Sequence, residues 1–168
     1  TGGTGSFGKA FATKILSKYK KIKRLVILSR DELKQFEMSK LSLFKKNSKK
    51  IRFFLGDVRD FDRIKMSFKD IDIVVHAAAM KQVEASEYNP YECIKTNIIG
   101  SQNIINAALE CNLEKVIFIS TDKATNPINL YGASKLAGEK LFLAANNIRG
   151  KAKTIFSIVR YGNVIGSR

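Results

Sequence analysis

Short apolar runs, typical of buried β-strands, alternate with helical patterns along this sequence. The runs lie at residues 24–29, 51–55, 71–76, 115–120 and 154–160. Between them, apolar residues recur at helical spacing over residues 7–19, 32–44, 60–68 and 91–111, and again from residue 131 onwards. Strands that alternate with helices form a parallel sheet with right-handed crossovers, because each helix packs back on the sheet. The pattern therefore predicts an α/β fold with a doubly wound parallel sheet.

A glycine-rich segment at the start of the sequence predicts a dinucleotide site. Glycines at positions 2, 5 and 8 form the pattern G-x-x-G-x-x-G, and a helical pattern follows them. Glycine lets the backbone turn tightly and approach a pyrophosphate, which then lies at the unpaired N–H groups of the helix N-terminus. The run at residues 24–29 follows at about the distance expected for the strand that reaches the adenosine ribose. We therefore predict an NAD(P)-binding Rossmann fold.

The residues after this run bear on the choice of cofactor. An acidic residue at the strand end would accept a hydrogen bond from a free 2′-hydroxyl and favour NAD. The sequence instead has Ser29 and Arg30, with Lys34 nearby, and these side chains suit a 2′-phosphate. Asp31 is adjacent and argues weakly for NAD. The sequence therefore predicts NADP.

One strand of the expected sheet is not in the sequence. In this fold the strand before the glycine-rich loop is the central one, yet the sequence begins at Thr1 with the loop and ends at Arg168, shortly after the run at 154–160. We interpret residues 1–168 as one NADP-binding domain inside a longer protein, without its first central strand and its C-terminal substrate lobe. Such a chain is not expected to fold alone, and cooperative thermal unfolding of it would contradict this interpretation.

Composition disfavours several classes of protein. Much of the net charge of +15 lies at residues 18–24 and 45–50. These lysines have no interleaved aromatic residues, so nucleic acid is a disfavoured partner. No apolar run approaches the roughly 18 residues of a membrane span, no signal peptide is present, and Cys93 and Cys111 lack metal-ligand spacing. We predict a cytoplasmic protein with reduced thiols, without a metal site or membrane contact.

Reactive side chains are concentrated after the run at 115–120. Tyr131 and Lys135 stand four residues apart at the start of a helical pattern, so they share one helix face. An ammonium there would lower the pKa of the phenol, as a phenolic general base requires. Asp122 and Lys123 precede them at the predicted carboxyl edge of the sheet, where they suit catalysis. Alternatives are a surface tyrosine beside a solvated lysine, and a helix-start carboxylate. His76 is interpreted as a packed, hydrogen-bonded residue.

Several strings of the sequence resemble a known family. Residues 1–8, the string His76-Ala77-Ala78-Ala79, Asn97, the Y-x-x-x-K of residues 131–135 and the string RYGNV at 160–164 resemble extended short-chain dehydrogenases/reductases of the nucleotide-sugar branch. Within it, residues 79–83, 87–90, 95–97, 120–124 and 126–127 resemble the polysaccharide-biosynthesis dehydratases, especially those of pseudaminic acid biosynthesis that act on UDP-N-acetylglucosamine. The resemblance spans all 168 residues. Membrane-anchored relatives usually carry methionine in place of Tyr131, so the short soluble type is implied.

The resemblance implies roles for individual residues. The pyrophosphate would be held by Gly2, Gly5, Ser6, Phe7 and Gly8, and the ribose phosphate by Ser29, Arg30, Asp31 and Lys34. The adenine would be flanked by Asp57 and Val58, and the nicotinamide half would lie near Ala77, Ala78, Lys81 and Asn97. Lys81 would contact cofactor or substrate, and Asn163 would approach the sugar nucleotide.

The implied reaction is an internal redox elimination, with NADP bound tightly and regenerated in each turnover. Tyr131 would remove the proton of the sugar C4 hydroxyl, Lys135 would lower the tyrosine pKa and bind the nicotinamide ribose, and Thr121 would hydrogen-bond the C4 oxygen. Asp122 would protonate the leaving C6 hydroxyl, and Lys123 would take the C5 proton. The product would be a UDP-4-keto-6-deoxy-L-sugar, a first step towards pseudaminic acid and surface or flagellar glycans. Relatives assemble into multimers, often hexamers, so a homo-oligomer is implied.

Two other functions stay open. A 4-epimerase of the same branch needs Tyr131, Lys135 and the cofactor but no elimination pair, and some epimerases in the family retain similar strings. A non-catalytic NADP-sensing or scaffold module is the second alternative. Such modules typically lose the tyrosine or the lysine, and both are present here.

Overall fold

The computed structural model describes residues 1–164, so the last four residues of the predicted domain 1–168 lie outside the described part. The strands are β1 (Leu25–Ser29), β2 (Ile51–Leu55), β3 (Ile73–His76), β4 (Lys115–Thr121) and β5 (Ile155–Tyr161). The helices are α1 (Ser6–Lys18), α2 (Glu32–Lys40), α3 (Ser42–Lys46), α4 (Phe61–Ser67), α5 (Val83–Tyr88), α6 (Pro90–Ile94), α7 (Gly100–Glu110) and α8 (Leu130–Ile148). Short helical segments, Ser48–Lys50, Lys95–Ile99 and Asp122–Ala124, complete the order.

The strands are all parallel, and they form two sheets with a gap between them. One sheet has the order β1-β2 and the other β3-β4-β5. The backbone of Thr1 and Gly3 joins them, because Thr1 N donates to Val75 O at 2.9 Å and Gly3 N donates to Leu28 O at 3.3 Å. The predicted doubly wound parallel fold is confirmed. Within residues 1–164 the central position between β1 and β3 holds only the first residues of the glycine-rich loop.

Each sheet has its own apolar core. The larger core lies between β3–β5 and the helices α4, α7 and α8, where Phe118 and Phe142 stack at 4.6 Å and Phe156 meets Phe142 edge-on. The smaller core lies between β1, β2, α1, α2 and α3, and includes Met38 and Phe44. Because the large core anchors β4 and α8 together, the ends of these two elements have fixed relative positions.

Two predicted helices have breaks that the helical spacing did not reveal. The helix expected over residues 32–44 ends at Lys40, because Leu41 is extended (φ −61°, ψ 136°) and α3 starts anew. The break allows both Met38 and Phe44 to be buried in the smaller core. The helix expected over residues 91–111 begins at Pro90 and contains a π-helical segment, Lys95–Ile99, which buries Thr96 and Asn97.

Most other expected bounds agree with the structure within two residues. The short helix α4 is capped at its start, since the Asp60 carboxylate accepts from Arg63 N at 2.9 Å. None of the helices within residues 1–164 combines the length and the apolar character that a membrane crossing requires.

Candidate active site at the carboxyl edge of the sheets

The glycine-rich loop is packed so closely that side chains would not fit at two of its positions. Gly2 has φ +66°, and a Cβ on it would lie 2.7 Å from Ala78 N. A Cβ on Gly8 would lie 2.5 Å from Gly3 O, inside the turn that leads into α1. The loop thus presents bare backbone towards the segment after β3, as close approach to a pyrophosphate requires.

The N-terminus of α1 is open towards this loop. Gly5 occupies the N-cap position, no side chain caps the helix, and its first turn contains no acidic residue. The N–H groups of the first turn and the positive end of the helix dipole therefore suit an anionic ligand. Phe7 closes one side, because its ring stacks on Tyr161 of β5 at 6.2 Å and on Phe11 at 5.7 Å.

A cavity of about 1150 Å³ extends from this loop along the carboxyl ends of β1, β2 and β3. It is large enough for a dinucleotide, since pockets for drug-sized ligands measure roughly 300–1,000 Å³. Its lining includes these predicted cofactor residues: Gly2, Gly5, Ser6, Phe7, Gly8, Ser29, Arg30, Asp31, Lys34, Asp57, Val58, Ala77, Ala78 and Lys81. A smaller cavity of about 290 Å³, beside the end of α4, contains none of the predicted site residues.

Cations at the far end of the cavity already have carboxylate partners. Arg30 reaches Asp57 at 3.5 Å, and Lys34 Nζ lies 2.8 Å from Asp31, whose carboxylate also accepts from the Lys34 N–H. Burial acts to raise the pKa of Asp57, but the hydrogen bonds from Arg59 outweigh it and the pKa is held below its usual range. Two exposed cations near a strand end fit a ribose phosphate, which would compete for them with these partly buried carboxylates.

One buried residue beside the cavity, Gln35, was not predicted from the sequence. Gln35 Nε2 donates to Ser29 Oγ at 2.9 Å and to Phe54 O at 2.8 Å, and thereby ties β1 to β2. Ser29, predicted as a cofactor contact, lines the cavity with its hydroxyl already engaged. A glutamine in the middle of an amphipathic helix gave no local signal of this role.

Asn97 has a different position from the one expected beside the nicotinamide. It is 2% exposed and does not line the cavity. Its amide nitrogen donates to Met80 O and Ser134 Oγ, both at 2.9 Å, and its amide oxygen accepts from Met80 N at 2.8 Å. Asn97 points into the core because it lies on the π-helical segment. From there it fixes the loop after β3 against α8.

The predicted elimination pair lies directly at the end of β4. Thr121 Oγ1 donates to Asp122 Oδ1 at 2.9 Å, and Lys123 Nζ lies 3.4 Å from the same oxygen. The Thr121 hydrogen bond, followed by the Lys123 ammonium, holds the pKa of Asp122 below its usual range although burial opposes this. Lys123 Nζ also donates to Asn163 Oδ1 at 3.1 Å, which brings the predicted substrate residue Asn163 to this pair.

Helix α8 starts against the turn that bears this pair. Asn129 caps the helix by accepting from Gly132 N at 2.8 Å, and Glu87 accepts from Leu130 N at 2.7 Å. A Cβ on Gly132 would lie 2.4 Å from Lys123 O, so the helix start packs directly on the Asp122–Ala124 segment. This packing places Tyr131, at the start of α8, beside the turn that follows Thr121.

The expected effect of Lys135 on Tyr131 is not present in this structure. Burial raises the pKa of Tyr131, and the nearby Thr121 side chain offsets this only in part. Lys135 is 3% exposed, and its Nζ donates to Ile119 O at 2.6 Å and lies 3.9 Å from the centre of the Phe118 ring. Because the ammonium points at a backbone carbonyl, it does not stabilise the phenolate. Burial lowers the pKa of Lys135 itself to about 7.

A buried carboxylate beneath Lys135 is the main feature that sequence reasoning missed. Glu139, one turn after Lys135 on α8, is 4% exposed. It accepts from Ser120 Oγ and pairs with Arg160 through both carboxylate oxygens. Its charge acts to raise the pKa of Lys135 against the effect of burial. The four-residue spacing could have suggested that Glu139 lies next to Lys135. Its partner Arg160 lies on β5, so the ion pair could not be inferred from spacing.

His76 is a packed residue, as its position in the sequence predicted. It is 1% exposed, its Nδ1 lies 2.7 Å from Thr1 Oγ1, and its Nε2 lies 3.3 Å from Ser101 Oγ. Burial lowers its pKa well below the ordinary value, so the ring is neutral. Within residues 1–164, no group of three or more His, Cys, Asp or Glu side chains is arranged to hold a metal ion.

Comparisons with known proteins agree on one family. The family model described as "Polysaccharide biosynthesis protein" matches residues 1–168. A UDP-N-acetylglucosamine 4,6-dehydratase (inverting) of Campylobacter jejuni is 60% identical over 168 residues, which is all of this chain and 49% of that protein. A UDP-glucose 4-epimerase of Rickettsia bellii is 48% identical over 170 residues, again all of this chain and 49% of that protein.

A solved structure supports the same relationship. The X-ray structure of Pen from Bacillus thuringiensis superposes with a TM-score of 0.94 at 42% identity, over 99% of this chain and 52% of that one. The chain thus spans about half the length of the proteins it matches. The shared half contains the glycine-rich loop, the cavity and the cluster around Tyr131.

Proposed function

The chain belongs to the polysaccharide biosynthesis protein family, and on that premise we propose that it forms the catalytic half of an NADP-dependent UDP-N-acetylglucosamine 4,6-dehydratase. The reaction would invert C5 and yield a UDP-4-keto-6-deoxy-L-sugar, as a first step towards pseudaminic acid and surface or flagellar glycans. One observation carries the proposal. Thr121, Asp122 and Lys123 form a hydrogen-bonded cluster at the end of β4, and the start of α8, which bears Tyr131, packs directly on it.

The residues around the large cavity fit a nicotinamide dinucleotide. The backbone approach at Gly2 and Gly8 and the uncapped first turn of α1 suit the pyrophosphate. Arg30 and Lys34, at the far end of the cavity, favour NADP over NAD. When bound, the cofactor would accept a hydride from the sugar C4 and return it at C6. The proposal includes a tightly held cofactor that is regenerated in each turnover.

The redox half of the site consists of Tyr131, Thr121 and Lys135. Tyr131 would take the proton from the C4 hydroxyl, and Thr121, whose side chain influences the pKa of the phenol, would hold the C4 oxygen. Lys135 would bind the nicotinamide ribose. Because its ammonium now bonds only the Ile119 carbonyl and an aromatic face, a ribose hydroxyl would give it a new partner without breaking an ion pair.

The elimination half consists of Asp122 and Lys123. The 4-keto group acidifies the C5 proton, so loss of the C6 hydroxyl needs a base at C5 and an acid at C6. In this structure the two side chains form an ion pair at 3.4 Å, with Asp122 ionised. A sugar that covers the pair would exclude water and disfavour both charges. Transfer of one proton from Lys123 to Asp122 would then produce the neutral amine and the protonated carboxyl together.

The decisive experiment is incubation of the full-length protein with UDP-N-acetylglucosamine and NADP. Formation of a 4-keto-6-deoxy product with inverted C5 supports the proposal. Lys123→Ala should abolish dehydration while Lys140→Ala, an exposed lysine on α8, should leave it unchanged. Unaltered dehydration by Lys123→Ala would show that another group is the C5 base.

An epimerase is the second candidate, because the chain is 48% identical to a protein named UDP-glucose 4-epimerase. Such an enzyme would use Tyr131, Lys135 and the cofactor but would not need Asp122 and Lys123 as a pair. Formation of UDP-N-acetylgalactosamine alone, without any keto sugar, would establish the epimerase and refute the dehydratase. A cytoplasmic homo-oligomer, often a hexamer among relatives, remains part of the proposal and can be measured by light scattering of the full-length protein.

A further inference from the structure

Arg160 connects three parts of the molecule that the proposed reaction needs in fixed relation. It lies on β5 opposite Ser120 of β4, one position before the pair Thr121 and Tyr161. Its guanidinium uses all three nitrogens, since Nε and one terminal nitrogen bond the two oxygens of Glu139 and the other donates to Thr125 Oγ1 at 2.8 Å. Glu139 belongs to α8, whereas Thr125 ends the turn that bears Asp122 and Lys123.

The anchor of this connection is rigid. Glu139 is 4% exposed, and Ser120 Oγ donates to the carboxylate oxygen that also accepts from Arg160 Nε. A buried carboxylate with charge-assisted hydrogen bonds on both oxygens has little freedom to rotate. Arg160 is therefore fixed at its inner end, while its outer nitrogen remains at the surface to meet Thr125.

The segment after Arg160 contacts the same turn at two further points. Asn163 Oδ1 accepts from Lys123 Nζ at 3.1 Å. Gly162 lies so close to the turn that a Cβ on it would be 3.3 Å from Asp122 Oδ2. Residues 160–163 thus follow the Asp122–Thr125 turn along its length, and Arg160 is the member that is anchored in the core.

We propose that Arg160, held by Glu139, is a positioning residue that keeps Asp122 and Lys123 in the geometry needed for the elimination step. The inference rests on the proposed dehydratase function. It assigns to Arg160 no contact with the substrate. Tyr131 and Lys135 lie on α8, and their positions do not depend on the hydrogen bond between Arg160 and Thr125. Loss of that bond should therefore affect elimination and leave oxidation at C4 intact.

Thr125→Val tests the outer end of the connection. The change removes a hydroxyl on an exposed residue, keeps the side-chain shape and leaves the ion pair between Glu139 and Arg160 untouched, so we expect the fold to be preserved. Arg160→Lys tests the same point differently, because lysine preserves the charge beside Glu139 but cannot bond both partners in the fork geometry. Lys65→Met is the matched control, since it removes an exposed ion pair with Glu110 at 2.6 Å, between α4 and α7.

The assay uses the full-length protein with UDP-N-acetylglucosamine, unlabelled or deuterated at C4 or at C5. In both test variants kcat should fall about tenfold, the size expected for one hydrogen bond to a charged group, with little change in KM. The isotope effect on kcat should rise for the C5 deuterium and fall towards unity for the C4 deuterium. Lys65→Met should show the wild-type kcat and isotope effects.

Two results would overturn the inference. The first is an unchanged kcat in Thr125→Val. The second is a lower kcat in both test variants while both isotope effects keep their wild-type values, because a uniform loss of this kind indicates a smaller folded fraction. These outcomes are distinct from failure of the proposed function. If the wild-type protein itself forms no 4-keto-6-deoxy product, the dehydratase and the positioning role are refuted together.

Discussion

The buried ammonium of Lys135 should make the stability of the protein depend on pH in a way that one substitution removes. The side chain is 3% exposed, and burial lowers its pKa from 10.5 to about 7. Lys135→Met keeps most of the side-chain volume and removes the titratable group. We therefore expect the wild type and the variant to differ in the slope of unfolding free energy against pH.

The magnitude follows from the pKa difference. Each pKa unit corresponds to about 1.4 kcal/mol, so folding disfavours the charged lysine by about 5 kcal/mol over the full range between the two pKa values. In that range the unfolded chain keeps the proton and the folded chain releases it, so the unfolded state binds more protons. The free energy of unfolding therefore rises with pH, by about 2 kcal/mol between pH 7 and pH 9 for this group alone.

Urea unfolding of the nucleotide-free, full-length protein at several pH values measures this effect. The difference in unfolding free energy between the wild type and Lys135→Met should rise by about 2 kcal/mol from pH 7 to pH 9, because His76 and Glu139, whose pKa values Lys135 influences, titrate below this range. Lys140→Met, which removes an exposed lysine from the same helix, should show a constant difference. A constant difference for Lys135→Met as well would refute the desolvation of this lysine.

Three further substitutions test the cofactor cavity and the buried asparagine behind it. Gly2→Ala should abolish nucleotide binding measured by calorimetry, because the new Cβ would lie 2.7 Å from the backbone of Ala78. Gly150→Ala is the control: Gly150 has φ +58° but no neighbouring atom within 4 Å of a Cβ, so the change should cost about 1–2 kcal/mol of stability and leave binding intact. Arg30→Ala should weaken NADP binding about tenfold or more and leave NAD binding unchanged, as expected for one charge-assisted contact. Asn97→Leu should lower the urea midpoint by an amount equivalent to roughly 1–3 kcal/mol, because both partly buried backbone groups of Met80 lose their partner.

The alternation of strands and helices was predictable because it depends on local periodicity. The apolar runs at residues 51–55 and 115–120 correspond to β2 and β4 within one residue. The break at Leu41 and the π-helical segment Lys95–Ile99 were not predictable in the same way. Both serve to bury particular side chains, Phe44 and Asn97, against other parts of the chain, and tertiary packing of this kind leaves no trace in helical spacing.

In the candidate site, too, local sequence predicted some residues, whereas others depend on contacts with distant parts of the chain. Residues placed by short motifs, such as Gly2 and Gly8, do line the cavity, because backbone geometry alone fixes them. Gln35 and Glu139 were missed, since each acts through a partner on a different element: Gln35 through Phe54, and Glu139 through Arg160. A motif identifies the residue, whereas the direction of a long side chain depends on which distant carbonyl or carboxylate comes within reach.

The Tyr131–Lys135 pair shows the consequence for mechanism. Four-residue spacing places both on one helix face, but an ammonium lowers the pKa of a phenol only if it points at the phenol. Here the ammonium donates to Ile119 O, and burial raises the pKa of Tyr131. The phenol therefore needs either a reoriented ammonium or a proton acceptor. Thr121 partly offsets the rise in the pKa of the phenol, and its hydroxyl donates to Asp122 Oδ1 at 2.9 Å. One hydroxyl therefore acts on the phenol of the redox half and bonds the carboxylate of the elimination half before any substrate binds.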